Sequence, residues 1–113
     1  MPEPLLTDVF GAGATQTATT VTFLKSDFAA VGLTASASNK AESILAALIL
    51  RAKTVLTDNA FAANIDQSVT VADGFNSIVQ RDTGGGVLAE YRQFSFNVGF
   101  HKLDSSALDP DDM

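Results

Sequence analysis

From Tyr91 to Leu103 the chain alternates, with Phe94, Phe96, Val98 and Phe100 interleaved among Gln93, Ser95, Asn97, Gly99 and His101. Successive side chains of a strand point to opposite faces, so this period predicts a strand with an aromatic face to bury and a polar face to wet. Upstream, Ser68 to Arg81 alternates at Val69 and Val71 and again at Phe75 and Val79. Asp73-Gly74 suggests a bulge or local turn there, and Ile78 beside Val79 breaks the strict pattern. Between the two runs, Asp82-Thr83-Gly84-Gly85-Gly86 signals a reversal, because glycine reaches the positive φ of tight connections. The two runs predict a β-hairpin whose second strand extends from Val87 to His101. Thr17 to Leu24 reads as an earlier strand, with Thr19, Val21 and Phe23 on one face and Thr20 and Thr22 on the other.

The period becomes helical between Ser38 and Leu56. Ala41, Ile44, Leu45, Leu48, Ile49, Ala52, Val55 and Leu56 fall within an arc of about 140°, a stripe suited to packing on a sheet. Ser38 or Asn39 is the expected cap; Glu42 suits the positive end of the helix, and Arg51 and Lys53 suit the negative end. Leu50 lies off the stripe beside Ser43, Ala46 and Thr54. Such small neighbours permit close approach of another helix, so Leu50 and Ala46 are the candidate subunit contacts. Lys25 to Gly32 predicts a short helical piece, with Ser26 as N-cap, Gly32 as its stop, and Phe28 and Val31 docked inward. Thr57 to Gln67 reads as a connection anchored by Phe61, and Gly11 to Ala14 as a flexible approach.

The expected fold is α+β: an antiparallel sheet of three or more strands, including the C-terminal hairpin, packed on one long amphipathic helix. Residues 1–103 form a single domain in this reading. Residues 104–113 form an acidic tail, expected to be flexible because it offers little to bury.

Composition adds a second expectation. The chain has 113 residues and is 46% hydrophobic, with a mean hydropathy of +0.18. A domain of this size buries only about two-thirds of the surface its unfolded chain exposes. The apolar excess and the open strand edges therefore favour burial against sister chains, and a homo-oligomer is expected. Net charge is −6; the last ten residues hold Asp104, Asp109, Asp111 and Asp112 and no base, so they carry −4 and the body −2. No cluster of Lys and Arg suits phosphates, so nucleic-acid binding by the isolated subunit is not expected. The absence of cysteine rules out disulfides and thiol chemistry. Met1-Pro2-Glu3-Pro4-Leu5-Leu6 does not resemble a secretory leader. The longest apolar run, Ile44 to Leu50, falls far short of the roughly 20 residues of a membrane span. The expected location is cytoplasmic or virion-associated, with no membrane partner.

Candidate chemistry is sparse. Gly11-Ala12-Gly13-Ala14-Thr15-Gln16 begins like a dinucleotide fingerprint but has Gln16 at the third glycine position and precedes a strand. The triple glycine is not followed by Lys-Ser or Lys-Thr, so it reads as a turn and not as a phosphate loop. His101 is the sole histidine and has no base or acid partner at a diagnostic spacing. Asp58, Asp66 and Asp73 do not match a calcium loop. No catalytic residues, metal or cofactor are expected. Tyr91, Gln93, Ser95, Asn97 and His101 form an uncharged, hydrogen-bonding strand face, the candidate binding surface for a sugar-like ligand or metabolite. The leading expectation is a non-enzymatic, self-associating structural or accessory protein; the alternative is a small-ligand binding module that uses this polar face.

The order Gly11 to Gln16, Thr20-Val21-Thr22-Phe23-Leu24-Lys25-Ser26-Asp27, Val31-Gly32-Leu33-Thr34 and Ala41 to Leu50 resembles small uncharacterised proteins of marine microbes and their phages. The resemblance spans roughly the N-terminal half. It implies a virion or assembly role and brings no activity with it.

Overall fold

Every strand pairing among the described residues is antiparallel. The structure, a computed structural model, describes residues 4–102 and 110–112. In chain order it contains α1 (Leu6–Phe10), β1 (Thr15–Gln16), β2 (Val21–Thr22), a 3-10 helix (Lys25–Val31), α2 (Ala41–Val55), α3 (Asp58–Ala63), β3 (Val69–Asp73), β4 (Ser77–Asp82), β5 (Leu88–Gln93), β6 (Phe96–Phe100) and a 3-10 turn at Pro110–Asp112. The mixed α+β class is as expected. Among the described residues the expected single sheet is not formed: β1 pairs with β2, β3 with β6 and β4 with β5, each pair a separate two-stranded ladder.

The hairpin keeps its reversal, with Gly84, Gly85 and Gly86 all at positive φ. Each of its predicted long strands is broken once. Val69 to Asp73 pairs with Phe100 to Phe96, and Ser77 to Asp82 pairs with Gln93 to Leu88. At the break the Gly74 N–H donates to the Ser95 carbonyl at 2.7 Å, and the Ser95 N–H donates to Asn76 Oδ1 at 3.3 Å. The side-chain amide of Asn76 takes the place of a ladder bond, which lets the two ladders diverge. Of the predicted strand at Thr17 to Leu24 only Val21–Thr22 is extended in a ladder, paired with Thr15–Gln16 in a small hairpin. Thr17 Oγ1 accepts from the Thr20 N–H at 3.1 Å, and the two hydroxyls lie 2.7 Å apart, closing a polar turn across what was read as a β-branched run.

The body packs around α2, which contacts α1, the 3-10 helix and β3, while α3 rests on β3. Phe28 is the large side chain most completely enclosed, at 1% exposure, with Phe23 edge-on at 5.4 Å and Phe10 stacked on Phe23 at 6.1 Å. Gly32 ends the 3-10 helix at φ 100, as its position predicts. The expected caps are replaced: Lys40 occupies the N-cap of α2 and Leu24 that of the 3-10 helix, neither with a side-chain bond. Ser38 and Asn39 serve the preceding loop, where Asn39 Oδ1 accepts from the Ser36 N–H at 3.0 Å. Thr57 to Gln67 holds a helix, not a bare connection, because Thr57 Oγ1 accepts from the Ala60 N–H at 3.0 Å and caps α3. Buried Gln67 secures its far end by donating to the Thr57 and Val69 carbonyls at 3.2 and 2.9 Å.

The aromatic strand face is not covered as expected. Phe94 is 64% and Phe100 54% exposed, and Phe96 is half-buried. Among the described residues α2 packs on α1, the 3-10 helix and β3; the predicted stripe is not its buried face, since Leu45 on it is 57% exposed and the buried residue within the helix is Ala47. Among the described residues no helix packs substantially on β4 or β5. Those two strands pack substantially only on each other, and every residue in them except Ala89 is exposed. They form an arm. The radius of gyration is accordingly 17.1 Å, against about 13 Å for a compact domain of about 100 residues. Accessible surface is 8240 Å2, where a compact monomer of this mass would show about 5900 Å2. No helix among the described residues is long and apolar enough to cross a membrane. The predicted tail lies largely outside the described residues.

Candidate interaction surface

Directly opposed residues of an antiparallel pair share a face. On one face of the arm Val79 stands opposite Tyr91, and Arg81 opposite Ala89; on the other Ile78 faces Arg92, Gln80 faces Glu90, and Asp82 faces Leu88. Ile78, Val79, Leu88 and Tyr91 are all exposed, as are Val87 beside the turn and Phe75 and Phe94 at the root, with Phe75 at 96%. Apolar groups thus emerge from both broad faces. Arg81 lies over the Tyr91 ring at 5.0 Å and provides partial cover.

Beside the arm's root a groove of about 690 Å3 is lined by Ala46, Ile49, Leu50, Lys53, Asp73, Phe94 and Phe96. Its wall is set by Lys53, whose Nζ lies 3.2 Å from Asp73 Oδ1 and 5.6 Å from the centre of the Phe96 ring. On the other side of the Ala46–Leu50 ridge runs a second groove of about 420 Å3, bounded by Val31, Leu33, Asn39 and Ser43. Ala46 and Leu50, singled out by their position off the helical stripe, border both grooves.

The polar strand residues are distributed over two ladders. Tyr91 and Gln93 lie on the arm, Ser95 lies at the break, and Asn97 sits opposite Ala72 in β6. His101 follows β6, stacks on Phe61 at 4.3 Å, and brings Nε2 to 3.2 Å from Thr70 Oγ1. Gly99 leaves room for this pair, since a Cβ there would lie 2.8 Å from Thr70 Oγ1. Among the described residues no three His, Asp or Glu side chains converge on a metal site.

Two features were missed in sequence. Arg51, read only as a favourable charge near a helix end, joins three elements: its guanidinium donates to the Thr7 and Asp27 carbonyls at 3.4 Å each and lies 5.8 Å from the Phe28 ring centre. The projecting arm was the second, although Ile78-Val79 and Val87-Leu88 signal it. Consecutive apolar residues in a strand point to both faces, the pattern of a strand covered on two sides. Compared with protein-family models, with curated proteins and with solved structures, the chain matches none.

Proposed function

We propose that this protein is a non-enzymatic structural or accessory subunit that works by associating with copies of itself, as in a virion or similar assembly. The observation that carries this reading is the β4–β5 arm, whose apolar side chains are exposed on both faces and whose strands, among the described residues, pack substantially only on each other. An isolated two-stranded hairpin is marginally stable in water, so an arm of this kind gains its support from elsewhere. Exposed apolar patches beyond a few hundred Å2 mark interaction sites in monomeric domains. Assembly would also complete the fold: a strand added by a neighbour along an open ladder edge gives the sheet of three or more strands that the pattern predicts. Sedimentation velocity across the micromolar range tests the reading. A defined oligomer is expected, and a monomer at every concentration would refute it.

A further inference from the structure

We propose that the β4–β5 arm of one copy lies along α2 of a second copy, with Tyr91 and Val79 seated in the groove formed by Ile49, Leu50 and Phe96. This rests on the self-association reading above and specifies which surfaces meet.

The first argument is shape. Val79 and Tyr91 stand directly opposite each other on one face of the arm and present a paired apolar projection. The groove beside Ala46 and Leu50, lined by Ile49, Phe94 and Phe96, offers a matching apolar depression. The second is area. Phe75, Ile78, Val79, Val87, Leu88 and Tyr91 together expose on the order of 700 Å2, comparable to the share each partner gives to a standard interface. The third is chemistry. A buried tyrosine needs a partner for its hydroxyl, and the groove is apolar except for Lys53 and Asp73, which stand together at its wall. The small side chain of Ala46 at the rim leaves the approach open.

The occupant is a second copy and not the chain's own arm. Phe94, immediately after β5, already lines the groove, so the arm is rooted there and extends away from it. A second copy supplies one arm for every groove. Arm and groove are different surfaces, so the contact either repeats reciprocally across a two-fold, as an isologous pair, or runs head-to-tail into a ring or filament.

The chain has no cysteine, so single thiols report the contact cleanly. Tyr91→Cys and Leu50→Cys proteins, one bearing a size tag, are mixed and treated with a short bismaleimide. Cross-linked product is expected between the two variants in preference to either self-pair. Separately, Tyr91→Ala is expected to raise the dissociation constant about tenfold or more with an unchanged far-UV spectrum, because this side chain is exposed in the single chain. An oligomeric wild type that cross-links only arm to arm or groove to groove overturns this seating and leaves self-association standing. A monomeric wild type overturns both.

Discussion

The Gly13 N–H donates to Asp27 Oδ2 at 2.8 Å, joining a turn to the first turn of the 3-10 helix fourteen residues on. The approach is close on both glycines: a Cβ on Gly11, which sits at φ +105, would lie 2.5 Å from Asp27 Cβ, and one on Gly13 would collide with the Leu24 side chain. The Gly-Ala-Gly-Ala stretch is therefore small because it wraps Asp27, and the fingerprint-like spacing follows from packing. Asp27→Ala is expected to lower stability by about 1–2 kcal/mol, since it removes a charge-assisted acceptor for a backbone donor. Asp27→Asn, which keeps an oxygen in place, should lose less. Urea denaturation measures both, and equal losses would count against the bond as the cause.

Arg51 holds α1 and the 3-10 helix to α2 through two carbonyls and one ring. Its stem contributes packing as well as charge. Arg51→Met keeps much of the stem and is expected to cost about 1–2 kcal/mol through the lost bonds; Arg51→Ala is expected to cost more. If both variants melt with the wild type, the clamp is irrelevant to stability.

At Gly99 the ladder runs beneath the Thr70–His101 pair. Gly99→Ala places a methyl group 3.0 Å from His101 Nε2, so the imidazole must shift from its stack on Phe61. The expected cost is about 1–3 kcal/mol, the usual range for overpacking, accompanied by a changed His101 ring resonance in NMR spectra. An unshifted resonance would place the imidazole elsewhere.

Local signals were legible where one residue type decides the backbone: Gly32 stops its helix, and the triple glycine turns the hairpin. The 3.6-residue period located α2 over its fifteen residues, but not the face it buries, since Leu45 on the predicted stripe is exposed and Ala47 off it is buried. Pairing was harder. Thr17 to Leu24 has strand composition, yet threonine hydroxyls that bond locally turned it back on itself. The strand after Val87 keeps its alternation through Phe94, but alternation marks only which side a residue faces. It does not say how much lies on that side, and among the described residues too little does to cover Phe94 and Phe100, which stay more than half exposed. The candidate contacts Ala46 and Leu50 were visible as departures from the helical stripe. The groove they border was not, since its other wall comes from Asp73, Phe94 and Phe96, distant in sequence and brought in by the β3–β6 ladder.

The two ladders of the hairpin should differ sharply in local stability. β3 lies against α2 and α3, with Val71 buried and its N–H donating to the Leu56 carbonyl at 2.8 Å. β4 and β5 have only each other, and a lone hairpin opens at little cost in free energy. Backbone amides of Val79 and Tyr91 are therefore expected to exchange hydrogen orders of magnitude faster than that of Val71 when the protein is dilute. Raising the concentration supplies a second copy, and the free energy of association is then added to every opening that releases the arm. Arm amides should slow with concentration. Uniform protection along the hairpin at low concentration would mean that the arm is supported within its own chain.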